Sequence, residues 1–208
     1  MAPKCKISAE GKLNNNEMKT VKLMIAIMLM AGLAQRSFAQ EQTCGLYLTA
    51  DDYHNHKLSY KTSGKDGNSI KLNEFLGSHK VVVLYNAKKE ELYKSAIYGY
   101  RYNNTDYRYF NNIAYKIIDD KDFYLYSTPK LVQQGNGPKS ISAYYFSSTA
   151  IADVKPLSIK NLQSVYTNNA KFRYLLESQF STDDALTAYD SAANEYKVKY
   201  LYEHSSSM

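Results

Sequence analysis

Apolar and polar positions alternate along most of the middle of the chain. Lys80–Tyr85 holds a continuous apolar run flanked by turn-forming residues, which is typical of a buried strand. From Leu92 to Tyr126, short alternating runs are separated by polar pairs and clusters, which predicts a meander of hairpins. The predicted turns are Asn103-Asn104, Asn111-Asn112 and Asp119–Asp122, followed by a longer loop from Pro129 to Pro138 and a last strand over Ile141–Phe146.

Beyond Ala150 the apolar residues recur in steps of three and four, which is the period of a helix. Ser181–Asp184 has the composition of a capping box for a final helix, and Thr49 with Asp52 has it for a short helix near the start. The predicted class is therefore α+β, an antiparallel β meander followed by C-terminal helices packed on one face of the sheet. The helical stripes are Leu162, Val165 and Tyr166; Phe172, Leu175, Leu176 and Phe180; and Leu186, Tyr189, Ala193, Tyr196 and Tyr200.

The first apolar segment has the layout of an export signal. Lys19 and Lys22 precede the apolar run Leu23–Ala34, and Ser37-Phe38-Ala39 offers small residues for cleavage before Gln40. The run is too short to span a bilayer comfortably. We predict an upstream extension over 1–17 outside the native product, a signal peptide over 18–39, a mostly β part over 40–150 and a helical C-terminal part of the same domain over 151–208. The alternative is that residues 1–17 are a long start to the signal peptide.

Removing the predicted leader changes the charge of the protein. The whole chain carries a formal net charge of +6, but six of its 26 basic and two of its 20 acidic residues precede Gln40. The remainder has 20 basic and 18 acidic residues, a net charge of +2. This near balance argues against nucleic acid as a partner, and no second apolar run is long enough for a membrane span. We expect a periplasmic, envelope or secreted protein.

Tyrosine is the over-represented residue, since all 21 tyrosines follow residue 39 and the chain has no tryptophan. Tyr98, Tyr100 and Tyr102 recur at every second position, as do Tyr107 and Tyr109, so each set would share one face of a strand. Exposed aromatic rows can bind sugar rings or form a protein interface, which makes these five the candidate binding residues. The alternative is a core role under the C-terminal helices, with the hydroxyls reaching water.

Basic residues lie among these tyrosines. Arg101, Arg108 and Lys116 occupy intervening positions, so they would face the other way if the alternation holds. This is the normal arrangement of a solvated face, and we predict all three on the surface.

The sequence lacks motifs for catalysis, cofactors or metals. No nucleophile, metalloprotease or dinucleotide-binding pattern is present, and Cys44 is the one cysteine after the leader. Asp52 and His56 would lie one turn apart on a helix, but two ligands do not make a metal site. The aspartates of the 119–122 segment lack the spacing of a calcium loop and fit a solvated turn better. We predict no cofactor and no metal site.

Four segments carry a resemblance to other sequences: Ser37–Gln40, Gly45–Tyr53, Tyr98–Arg101 and Tyr107–Phe110. They are similar to segments of small, uncharacterised secreted proteins of the Bacteroidota, and the similarity covers most of the chain after the leader. The resemblance implies an envelope or secreted location. It assigns no activity, ligand or catalytic residue.

Three functions are compatible with these features. The first is an exported, non-enzymatic binding protein that contacts an unknown protein or glycan through the tyrosine face or the 129–138 loop. The second is a hydrolase-like enzyme, which requires a cleft where an Asp or Glu and a His converge. The third is an assembly component that pairs through an edge strand or through Cys44. The abundance of aromatic residues and the missing catalytic motifs favour the first.

Overall fold

The computed structural model describes residues 44–63, 67–74, 77–135 and 137–206. The predicted upstream extension and signal peptide lie outside these residues. Thirteen strands occur within the described ranges. They are β1 (Cys44–Tyr47), β2 (Ser59–Thr62), β3 (Ser69–Lys71), β4 (Lys80–Tyr85), β5 (Lys88–Tyr93), β6 (Gly99–Tyr102), β7 (Thr105–Phe110), β8 (Ile113–Asp119), β9 (Tyr124–Gln134), β10 (Gly137–Ser147), β11 (Lys155–Pro156), β12 (Tyr189–Asp190) and β13 (Glu195–Tyr196).

The strands pair antiparallel in three sheets. The largest has eight strands in the order β11-β10-β9-β8-β7-β6-β1-β2, so a meander from β6 to β11 is extended by the antiparallel pair β1 and β2. A second sheet has the order β3-β4-β5, and β12 pairs with β13 alone. The antiparallel sheet followed by helices confirms the predicted α+β class.

Paired left-handed residues close the hairpins of the meander. Asn103 and Asn104 have φ values of 49° and 59°, and Asn111 and Asn112 have values of 50° and 64°. Two successive residues with positive φ form the turn whose twist suits antiparallel strands, and asparagine tolerates this conformation. Both loops are two residues long, which confirms the turns predicted from the sequence.

Strand β4 coincides with the predicted Lys80–Tyr85 strand but is not buried on both faces. Val81 and Val83 are buried, whereas Leu84 is 38 % exposed. β4 lies between β3 and the charged strand β5 in a small sheet. Such a sheet has one packed and one solvated face.

The segment predicted as a loop from Pro129 to Pro138 is instead part of a long hairpin, so that prediction was wrong. β9 and β10 pair continuously from Tyr124 opposite Ser147 to Gln134 opposite Gly137. β8 pairs with β9 only as far as Ser127, so the outer part of the hairpin is a two-stranded arm. Proline cannot donate a ladder hydrogen bond, and strands without an outer neighbour tolerate it.

The helices are α1 (Ala50–His54), α2 (Ile159–Val165), α3 (Ala170–Gln179) and α4 (Lys197–Ser206). Thr49 and Asp52 form the predicted reciprocal capping box of α1, with N–O distances of 3.0 and 3.1 Å. Ser158 and Asn169 cap α2 and α3 without the reciprocal bond, each accepting a bond from a backbone amide three residues later. These caps satisfy amides that would otherwise lack a partner.

The single final helix predicted after Ser181 was also wrong. A short 3-10 turn over Asp183–Thr187 and the β12–β13 hairpin precede α4. The Asp190 carboxylate accepts bonds from the amides of Ala192 and Ala193, at 2.9 and 3.2 Å, and Asn194 has a φ of 54°. These local bonds stabilise a turn in place of a helix. The helical period of the apolar residues therefore continues across a segment that is not helical.

Among the residues that the structure describes, three clusters of buried side chains form the core. The first joins strand and helix residues, and the second, which we call the tyrosine cluster, is mostly aromatic. The third lies around β4. Their main members are Phe123, Leu125, Phe146, Leu162, Phe172, Leu176 and Val198; Tyr47, Tyr53, Tyr98, Tyr115, Tyr124 and Tyr126; and Leu46, Val81, Val83, Ile97, Tyr100 and Tyr109.

Candidate functional site

The five candidate tyrosines do not lie together on one open face. Tyr98 packs on Tyr53 in the tyrosine cluster, with ring centroids 5.4 Å apart. Tyr100 belongs to the third cluster, where it stacks on Tyr107 at 4.7 Å with an angle of 8° between the rings. Tyr98, Tyr100 and Tyr109 are buried, Tyr107 is half-buried, and Tyr102 is 51 % exposed. The core cluster that contains the C-terminal helices includes none of the five.

An open cleft of about 560 Å³ lies where α1, β7, β8 and β13 meet. Its lining combines Asp106, Asp119 and Asp120 with Tyr53, Asn104 and Tyr196. We call it the aspartate cleft. Carboxylates, an amide and aromatic rings on one concave surface can hydrogen-bond a polar ligand and contact its apolar faces.

Asp106 is held in place from two sides. Arg101 donates from Nε to Oδ1 at 2.7 Å and from Nη2 to Oδ2 at 2.5 Å, and the Tyr47 hydroxyl donates to Oδ1 at 2.9 Å. The Asp106 side chain remains 16 % exposed at the cleft. Bidentate guanidinium contacts fix the carboxylate plane, so Asp106 offers acceptor lone pairs in a set direction. The carboxylate also raises the pKa of Arg101.

The other two aspartates are anchored to different elements. Tyr53 donates its hydroxyl to Asp120 Oδ2 at 2.7 Å. Asp119 Oδ1 lies 3.0 Å from Nζ of Lys199 in α4, a fully buried lysine that also donates to the carbonyls of Lys121 and Phe123. Burial lowers the pKa of Lys199, against the opposing effect of Asp119. All three carboxylates are therefore oriented by partners from the fold.

These tyrosine contacts predict sensitivity to alkali. Burial, followed by the carboxylate bond, raises the pKa values of Tyr47 and Tyr53 above 10.0, and burial raises that of Tyr124 to about 12. A raised pKa in the folded state gives stability that is complete below pH 10.0 and is lost as the pH rises beyond it. We expect only the part of the phenolate absorbance that comes from the buried tyrosines to change together with far-ultraviolet circular dichroism in an alkaline titration, because exposed tyrosines such as Tyr174 can ionise without unfolding. Ionisation of all the tyrosines with the fold intact would contradict this expectation.

The sequence holds a signal for part of this site. Once the Asn103-Asn104 turn is assigned, Arg101 and Asp106 stand directly opposite each other on β6 and β7, as they do in the structure. Opposite charges at such positions interact across the strands. The alternation of residues alone puts Arg101 on a solvated face and does not reveal this pair, and the helical period puts Tyr196 on a helix, whereas the structure places it on β13.

The metal candidates considered in the sequence have other roles. Asp52 caps α1 and lies 3.6 Å from Lys57, and His56 is in the left-handed region with a φ of 51°. Among the residues that the structure describes, no group of three or more His, Cys, Asp or Glu side chains could hold a metal ion. Cys44 is a free, half-buried thiol at the start of β1.

Comparisons with known proteins add no family assignment. No family model, no curated protein and no solved structure matches the chain. The function must therefore be inferred from the geometry of the site.

Proposed function

We propose that this protein is an exported, non-catalytic binding protein that takes a glycan in the aspartate cleft. The observation that supports this most is the fixed orientation of Asp106, Asp119 and Asp120 at one open surface. Asp106 is held by Arg101 and Tyr47, Asp119 by Lys199, and Asp120 by Tyr53. These four partners lie on four different elements of the fold. Acceptors that are already oriented lose little entropy when a ligand binds.

Hydroxyl groups are the donors that best match these acceptors. A sugar ring presents several hydroxyl donors and an apolar face. Asn104 adds an amide to the cleft, and Tyr196 adds a half-buried ring that contacts Tyr189 at 5.0 Å. The ring can pack on the apolar face of a sugar while the carboxylates accept from its hydroxyls.

The rest of the fold supports a binding role at this cleft. We infer that the C-terminal helices cover part of the eight-stranded sheet, since Phe172, Leu176 and Val198 share a core cluster with Leu125 and Phe146. Tyr47 and Tyr53, two buried members of the tyrosine cluster, support the cleft by donating hydrogen bonds to Asp106 and Asp120. They are not among the five tyrosines that the sequence suggested as the contact surface. No helix in the described ranges is long and apolar enough to cross a membrane.

The proposal predicts specific loss of glycan binding in cleft variants. The purified protein from Gln40 onward would be screened on an array of glycans, and the strongest ligand measured by titration calorimetry. We expect Asp106→Asn and Tyr196→Ala to weaken binding about tenfold or more, because each removes one contact worth about 1.4 kcal/mol. Tyr174→Ala is the matched control, since Tyr174 is a 70 % exposed tyrosine on α3, outside the cleft.

The same experiment can overturn the proposal. Binding that is unchanged in both cleft variants, or absent from the entire array, would contradict it. Near-ultraviolet circular dichroism of each variant separates loss of contact from loss of fold.

A hydrolase is the second candidate, because His56 lines the aspartate cleft together with Asp106 and Asp120. This convergence is the feature that the hydrolase hypothesis required. No hydrogen bond joins a histidine ring to a carboxylate within the described residues, whereas a histidine base is usually oriented by one. Release of shorter sugars from the bound glycan, lost in His56→Ala, would identify the protein as the enzyme instead.

A further inference from the structure

A second cleft shares Asp120 with the aspartate cleft and is otherwise lined by different residues. It has a volume of about 490 Å³ and is formed by α1, the β8–β9 hairpin and the segment that follows β10. His54 and Tyr124 meet within it, with Nε2 and the hydroxyl oxygen 2.6 Å apart. We call it the Ile151 cleft, because Ile151 stands at its rim.

Ile151 is the most exposed large apolar side chain described, at 78 %. It occupies the centre of a tight turn in which the amide of Ala152 donates to the carbonyl of Thr149 at 3.3 Å and to its hydroxyl at 3.1 Å. The centre of a turn normally carries Gly, Asn, Asp, Ser or Pro. Isoleucine here adds apolar surface to solvent without any contribution to the core.

The turn is fixed by the protein interior. The buried Arg108 guanidinium donates from Nη2 to the Ala152 carbonyl at 2.8 Å, and the buried Ser147 hydroxyl donates to the Thr149 carbonyl at 2.8 Å. Both ends of the turn are therefore held by buried side chains. A rigidly presented apolar side chain loses little entropy on binding, which is the property of an interface anchor.

The charge of the Ile151 cleft has one sign. Asp51, Asp120 and Asp122 line it, and no lysine or arginine does. None of the three carboxylates forms an ion pair within the described ranges. An apolar anchor beside carboxylates that lack an ion pair complements a cation that carries its charge on an apolar stem.

We propose that the Ile151 cleft binds a peptide segment of a partner protein in which an arginine or lysine lies next to an aliphatic residue. The aliphatic residue packs on Ile151. The cation reaches Asp122 and Asp120. The exposed Ile151 side chain distinguishes this cleft from an ordinary solvated acidic surface. At such a surface, an aliphatic residue next to the cation would not strengthen binding.

Fluorescence anisotropy with short labelled peptides tests the proposal. The probe is a blocked pentapeptide with one arginine between two leucines, and its comparisons replace the arginine by glutamate or both leucines by serine. We expect saturable binding of the first peptide alone, with at least about tenfold weaker binding in Ile151→Ser and in Asp122→Asn. Leu131→Ser is the matched control, because Leu131 is 73 % exposed on the β9–β10 arm, away from this cleft.

Three results would overturn the inference. They are no binding of the arginine peptide to the native protein, equal binding of the leucine-free peptide, and unchanged binding in both cleft variants. Asp122 has a φ of 59°, a conformation that asparagine also tolerates, so Asp122→Asn keeps the fold even if Ile151→Ser does not. Tyr196→Ala, which tests the glycan proposal, should leave peptide binding unchanged, so the two proposals can fail independently.

Discussion

Replacing Arg108 by alanine is expected to lower the free energy of unfolding by about 3–5 kcal/mol, from the cavity it leaves and the acceptors it deprives of a donor. Arg108 is 4 % exposed and donates to Tyr126, to Ser147 and to the Ala152 carbonyl at 2.8–3.1 Å. No carboxylate pairs with it within the described ranges. Its charge is stabilised instead by these oxygens and by aromatic faces.

The aromatic contribution is visible in the geometry. The guanidinium carbon lies 5.7 Å from the ring centres of Tyr98 and Phe110 and 5.8 Å from that of Tyr126. Urea unfolding of Arg108→Ala and Arg108→Met would separate lost volume from lost hydrogen bonds, since methionine fills most of the space but donates nothing. Arg101→Ala is the control and should cost about 1 kcal/mol, because its ion pair is partly exposed. A native-like Arg108→Met would show that the charge is dispensable.

Replacing Gly99 by alanine is expected to cost about 3 kcal/mol or more, through overpacking at a place that cannot relax. A Cβ at Gly99 would lie 1.9 Å from the Tyr107 carbonyl oxygen and 3.0 Å from Cα of Arg108. Both are backbone atoms of β7, so β6 and β7 would have to separate. The loss would appear as a lower urea midpoint.

Gly137 provides the matched control for this change. It is also a strand glycine, but a Cβ there would meet nothing within 4 Å. Gly137→Ala should leave stability unchanged or raise it by about 0.5 kcal/mol, because alanine restricts the unfolded chain. Equal effects at the two positions would mean that the close approach of β6 and β7 does not limit the sequence at residue 99.

The sequence predicted those elements whose signals are local. The Asn103-Asn104 and Asn111-Asn112 turns and the Thr49 cap depend on residues within a few positions of one another, and all appear in the structure. The β9–β10 arm was missed because proline excludes a strand only where a neighbouring strand needs its amide. Whether β9 has such a neighbour at Pro129 depends on where its pairing with β8 stops, which is at Lys116 opposite Ser127.

Arg108 shows why burial was harder to predict than secondary structure. Alternation placed it opposite the tyrosines, on a face taken to be solvated. Both faces of β7 are in fact covered, since Arg108 contacts the tyrosine cluster while Tyr109 belongs to the cluster around β4. Period alone tells which residues share a face, and it does not tell which faces are covered. The same limit applied to the aspartate cleft, whose residues come from positions 53 to 196.

The position of β1 has a consequence for how the chain folds. Gly45 pairs with Arg101 of β6, although β2, its other neighbour, is close in sequence. The loop between Gly45 and Arg101 must close before the contacts of this pairing form, and its closure costs conformational entropy. Pairings between residues so far apart in sequence slow folding. β1 can pair with β2 early, but its pairing with β6 must wait until the chain has been synthesised as far as Arg101. β1 comes first in the described sequence, but its place between β2 and β6 is fixed late in folding.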